Sequence, residues 1–418
     1  MSQPSPVIPP NPADAPHASS GAAAASPAVP DFSPRQIVRH LLGPVLIDGP
    51  DLVHCDGAIR TEAAIEVWKW MVRDLDPQLG NYAALALRPG APLGTDERFA
   101  RLLGDLIGAQ HRAAAEQLDG LHRLGIQLGG EQMLEVLPAL QSALRNLKLV
   151  HQAAHFGKTL NAISDRHALA VTLQSLPVED GLLTHQLALA AIGQVSNPQI
   201  LGEGMIVAAG ASHPARIGQA GLGPYVNAII AHAQNQIGLL KSGGGHFTDI
   251  DLACRVIARF HRFMRALAPI VEEDRRSLWF ANVARLVGHL SELLRRRIEE
   301  VDSQIRRGLR PSRIGADSLD RDGLLDALNN MYLLHAAKDA RESLALNQAI
   351  DTAWIHTGQS CETLSTRLLD RLREHPHDAI TQDRIDFCAK IARVRFSEEY
   401  ADVLARAKET IIRNGGSA

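Results

Sequence analysis

Apolar residues recur at intervals of three and four along most of this chain, the period at which a helix buries one face and wets the other. From Ser277 to Arg307 the series Val283, Val287, Leu290, Leu294, Ile298, Val301 and Ile305 leaves Arg295, Arg296, Glu299 and Glu300 on the solvent side. That spacing predicts one amphipathic helix of roughly thirty residues, about 45 Å long. Further helices are predicted over 318–345, 346–373 and 378–413. Thr61 precedes EAAIEVWKWMVRDL and Thr95 precedes DERFARLLGDLIGAQHRAAAEQLDGLHRL, each in the place of an N-cap. Asn197-Pro198 and Ser212-His213-Pro214 mark two more starts, because proline is tolerated in a first helical turn. The exception is PVLIDGPDLVH, residues 44–54, where apolar runs flank Asp48-Gly49-Pro50-Asp51 and suggest a short β-hairpin or a simple turn. The fold class is therefore all-α: long amphipathic helices packed as hairpins in a bundle, with no fixed-period repeat.

Two shifts in composition divide the chain. Residues 1–32 are rich in Pro, Ala and Ser and hold no Lys or Arg, which predicts a disordered tail. Neither the basic start nor the apolar run of a secretory signal is present in it, so a cytoplasmic location is expected. Lys241-Ser242-Gly243-Gly244-Gly245 is a breaker, followed by a plausible cap at Thr248-Asp249. It separates an N-terminal helical domain, 33–245, from a C-terminal one, 246–418. Within the first, the segment 181–240 carries only Glu203 and Arg216 as charged side chains. Average composition would put about a dozen charges in sixty residues. No window there is apolar enough for a membrane span, since each contains Gln, Asn, His, Pro or several glycines. The expectation is helices surrounded by protein, in which neutral polar groups such as Asn227, His232, Gln234 and Asn235 find hydrogen bonds or line a cavity. A self-association surface fits the same depletion of charge, and so does a homo-oligomer.

Composition narrows the classes further. A formal charge of −3 over 418 residues and 4% aromatic residues give little to attract or stack nucleic acid. Cys55, Cys254, Cys361 and Cys388 form no CxxC and read as buried free thiols.

The most suggestive stretch chemically is HQAAHFGKT, residues 151–159. His151 and His155 stand four apart, and Gly157-Lys158-Thr159 matches the end of a phosphate-binding loop. The loop pattern fails at Gln152, where glycine belongs, and the preceding residues are periodic as a helix and not as a strand. On a continuous helix from Leu140 to Asp165, Leu140, Leu144 and Leu147 share an arc with His151, Ala154 and Lys158, with His155 at its edge. Asn161 and Asp165 extend it. An inward face that turns polar halfway marks a helix emerging into solvent, a buried polar network or a site. Two imidazoles fall short of a metal set, no HExxH occurs, and no metal or other cofactor is expected. His54-Cys55-Asp56-Gly57 groups reactive types, but adjacent turn residues point apart.

These features favour an interaction protein, an adaptor, scaffold or regulator working through helix surfaces on protein partners, over an enzyme. The alternative is a helical enzyme or ligand-binding protein with a polar pocket formed by His151, His155, Lys158, Asn161 and Asp165, aided by Asn227 and His232. The two differ in an observable way: an enclosed polar cavity supports the second, an apolar surface groove the first.

Overall fold

A computed structural model describes residues 32–174, 181–240, 250–310 and 319–415. The Pro/Ala/Ser tail up to residue 31 and the breaker with its Thr248-Asp249 cap lie outside the described residues. Ser33 opens α1 (Pro34–Leu42) with a capping box, its side chain and that of Gln36 each serving the other's backbone N–H. Two strands of two residues follow, β1 (Leu46–Ile47) and β2 (Ile59–Arg60), then α2 (Thr61–Trp70), α3 (Leu79–Leu87), α4 (Thr95–Ala115) and α5 (Gly120–Leu128). Next come α6 (Val136–Arg145), α7 (Leu147–Leu160), α8 (Arg166–Gln174), α9 (Leu182–Ile192), α10 (Pro198–Ala209), α11 (Pro214–Gln219) and α12 (Gly223–Leu239). The remaining helices are α13 (Ile250–Val271), α14 (Leu278–Leu309), α15 (Arg321–Asp339), α16 (Asn347–Glu374), α17 (Ala379–Arg395) and α18 (Glu398–Gly415). The all-α class holds, and among the described residues no helix is long and apolar enough to cross a membrane.

The predicted long helix is α14. Ser277 Oγ accepts from Phe280 N as its cap, and Leu290, Leu294, Ile298, Val301 and Ile305 are buried as the spacing requires. Its wet face carries i,i+4 pairs between Arg295 and Glu299, Arg296 and Glu300, and Arg306 and Asp302. α15 and α16 both pack on it and touch each other, α17 packs on α16, and α18 on α17. The stretch 378–413 is two helices and not one: α17 ends at Arg395, and Ser397 Oγ accepts from Tyr400 N to start α18. Ser-Glu-Glu at 397–399 is an ordinary helix start that the unbroken apolar period masked.

Local expectations are corrected at several other points. Thr61 and Thr95 are the first residues of α2 and α4, whose N-caps are Arg60 and Gly94. Thr61 Oγ1 instead donates to Ile47 O, 3.3 Å away, and ties the start of α2 to β1. No hairpin forms within 44–54, because β1 pairs in parallel with β2, Leu46 opposite Ile59 and Ile47 opposite Arg60. The backbone of 48–53 bonds to side chains of α12, which leaves it unavailable to a hairpin partner. The Leu140–Asp165 helix is broken at Asn146, whose Nδ2 donates to Ser142 O at 2.9 Å. Asn side chains compete with the helical ladder in this way.

The break shifts the phase of α7. Its buried residues are Leu147, Val150, Ala154, Gly157 and Leu160. The predicted arc through His151 and Lys158 is therefore one step out of register. Gly157 is where α7 meets α9: a Cβ there would run into the Ala191 backbone. α12 is enclosed on nearly every side, with Tyr225, Val226, Ile229, Ile230, His232, Gln234 and Ile237 all buried. The chain's own helices α9, α13 and α14 supply that cover.

Candidate functional site

Asn227, His232, Gln234 and Asn235 of α12 are taken up by the fold. Gln234 is buried, and its Oε1 accepts from Leu52 N at 3.1 Å and Val53 N at 2.8 Å. Asn235 Oδ1 accepts from Asp48 N at 2.8 Å, and Asn227 Oδ1 from the indole N–H of Trp279 at 2.8 Å. Gly49, at φ 101°, meets Gly238 backbone to backbone, which brings the loop and the helix together. On α9, buried Gln186 accepts from Ser142 Oγ at 2.8 Å and donates to Ala139 O at 2.7 Å.

His232 belongs to the same set. Its Nε2–H donates to Leu189 O at 2.7 Å, and its ring stacks on Phe263 with centroids 6.2 Å apart. Burial drives its pKa down from 6.5 to about 4, with a smaller push from Arg259, so the folded ring is neutral. An unfolded imidazole accepts a proton near pH 6.5. The stability due to the neutral ring is complete above that pH, falls as pH drops, and stops falling near 4, where the folded ring is protonated too. Urea unfolding across that window is expected to lose about 3 kcal/mol to this group. The loss should be absent in His232→Gln; an unchanged slope in that variant would show that other groups carry it.

The remaining sequence candidates scatter. His151 is half-buried, with Nε2 3.3 Å from Leu41 O. His155 and Lys158 are exposed. Asn161 bridges to the α9–α10 turn, donating to Gln194 O at 2.9 Å and accepting from Ser196 N at 2.7 Å. Asp165 Oδ1 accepts from His167 N at 3.0 Å, at the start of α8. Among the described residues no group of three or more His, Cys, Asp or Glu is placed to hold a metal ion. In the His54-Cys55-Asp56 turn, burial, with Asp56 and Asp51 adding to it, pushes the Cys55 thiol up to about 12. That leaves it protonated at neutral pH and a poor nucleophile.

The structure places a different feature in the C-terminal half. A groove of ≈ 820 Å³ runs between α13 and α15 and ends at Arg393 and Val394 of α17. Small residues contribute to its lining: Ala258 on α13, Ala336 on α15 and Ala340 at the C-cap of α15. Cys254 and His261 continue the α13 wall, and Tyr332 and His335 the α15 wall. Tyr332 is 44% exposed. His261 Nδ1 lies 2.8 Å from Ser343 Oγ, and burial followed by the charge of Arg265 lowers its pKa. His335 is fixed by Asp339, 3.3 Å away, and by an edge contact with Trp354 of α16. Lys338 and Arg395 both lie over the Trp354 ring, 3.8 and 4.3 Å from its centroid. Such cation–π contacts hold the indole against the back of α15.

Charge at the groove is one-sided. Arg255, Arg262 and Arg393 line it against a single carboxylate, Asp339. Arg393 also pairs with exposed Glu398 at 3.0 Å, and Arg262 donates to Ser196 O at 3.2 Å. None of the seven sequence candidates lines this groove. Sequence reasoning missed it because its walls come from separate helices. Comparison with protein-family models, curated proteins and solved structures gave no match.

Proposed function

We propose that this chain is an interaction protein whose α13–α15 groove receives the apolar face of an acidic amphipathic helix from a partner protein. The observation that carries this reading is the combination of an alanine-floored channel with three arginines against one aspartate at its edge. From Cys254 to Arg262 the α13 wall spans about 12 Å. That length suits two turns of a docked helix, with anchors at i, i+3/i+4 and i+7. Carboxylates beside those anchors would meet the arginines, which favours an acidic partner and speeds its encounter. A cytoplasmic setting accords with four cysteines present as free thiols.

The test uses a synthetic helical peptide of about 18 residues with leucines along one face and glutamates flanking them, and a second with lysines in place of the glutamates. Fluorescence anisotropy at low salt is expected to show saturable binding of the glutamate peptide alone, weakened as salt rises. Filling the floor with Ala336→Trp should weaken it at least about tenfold, equivalent to about 1.4 kcal/mol. Equal affinity for the two peptides, or wild-type affinity in Ala336→Trp, would overturn the reading.

A further inference from the structure

Cys361 of α16 and Cys388 of α17 are fully buried and face each other with Sγ atoms 3.7 Å apart. Each thiol also lies against the other's backbone carbonyl, Cys361 Sγ to Cys388 O at 3.9 Å and Cys388 Sγ to Cys361 O at 3.8 Å. A disulfide needs about 2.05 Å between sulfurs. The pair is thus less than 2 Å of closure from a bond, a shift within the reach of rotamer and small helix adjustments.

The geometry points to Cys361 and Cys388 as an oxidisable dithiol that, with a small peroxide as oxidant, becomes a disulfide locking α16 to α17. This does not rest on the groove's role. In the first step one thiolate attacks a peroxide oxygen, forming a sulfenic acid and releasing hydroxide, which takes up the thiol proton as water. The second sulfur then attacks the sulfenic sulfur, the S–S bond forms, and a second water leaves. Two thiols lose two electrons in all, and hydrogen peroxide accepts both. The hydrogen bond with the Cys361 thiol, and after it burial, hold Cys388 well above the ordinary thiol range. Thiolate is therefore scarce and the first step slow, so the switch responds to sustained rather than brief oxidation. A bulky disulfide such as oxidised glutathione has no exposed sulfur to attack, which makes the oxidant's size decisive.

The crosslink would close a loop of 27 residues in the unfolded chain. Entropy of that size is expected to raise Tm by about 5–10 °C, less any strain. The experiment treats full-length reduced protein with hydrogen peroxide or with oxidised glutathione, then maps non-reduced peptides and measures melting. Expected are a linked Cys361–Cys388 peptide with peroxide and not with glutathione, the rise in Tm, and reversal of both by dithiothreitol. Cys361→Ala with Cys388→Ala should abolish the peroxide-dependent rise. If that double variant fails to fold, the wild-type peptide map decides alone. Peroxide that oxidises half-buried Cys254 while leaving Cys361 and Cys388 unlinked would overturn the proposal, as would a crosslink that leaves Tm unchanged or lower.

Discussion

Gln234→Leu is expected to lower the unfolding free energy by about 2 kcal/mol, although leucine is close in size to glutamine and more apolar. The loss comes from the loop and not from the helix. Leu52 N and Val53 N both donate to Gln234 Oε1, and Val53 is itself buried. Removing the acceptor strands Val53 N where water is scarce, at about 1–3 kcal/mol, whereas Leu52 N keeps a bond to Pro50 O at 3.0 Å. Part is regained because leucine buries more favourably than an amide. Asn235→Leu removes one acceptor, for Asp48 N, at a half-buried position, and should cost about 1 kcal/mol. Urea unfolding ranks the two, and hydrogen exchange should show the amide of Val53 losing protection in the first variant. Equal costs for both variants would mean that the loop is not held in this way.

Gly157→Ala should destabilise by about 2 kcal/mol, against the direction that helix propensity dictates. Alanine is about 1 kcal/mol better than glycine within a helix. Here the added methyl meets the Ala191 backbone, which has no side chain to swing aside. Overpacking of that kind costs about 3 kcal/mol, so the close approach of α7 and α9 wins. Lys158→Ala and Thr159→Ala should stay within about 0.5 kcal/mol, because both residues are exposed and the Thr159 hydroxyl bonds only to Phe156 O of its own helix. A phosphate loop would make the lysine and threonine the sensitive positions in binding. Thermal melts of the three variants in parallel check the order.

These cases show what the chain's pattern made legible. The period of α14 is carried by seven apolar residues over more than six turns, so its extent and buried face are readable within two residues. Caps one residue away from their expected place, as at Thr61 and Thr95, reflect preferences worth only about 1 kcal/mol, which a tertiary bond such as Thr61 Oγ1 to Ile47 O overrides. The phase of α7 was lost through one asparagine, because a helical wheel assumes no break. The charge-poor stretch was legible as burial, yet which backbone groups its amides serve depends on contacts made more than 180 residues away. The groove and the facing thiols are illegible for the same reason: Cys254 and Tyr332 are 78 residues apart, and Cys361 and Cys388 are 27 apart on different helices.

The fastening of residues 48–53 also sets an order of folding. Asp48, Leu52 and Val53 bond to Asn235 and Gln234, and Leu52 O accepts from Arg285 Nη1 at 2.9 Å, 233 residues along the chain. Contacts that distant form slowly, because the intervening chain must first be drawn together. The α14–α18 bundle joins neighbours in sequence and faces no such delay. On the ribosome, the loop emerges early and waits with the amides of Asp48 and Val53 unpaired until α12 has followed. A segment made early is thus among the last to be secured.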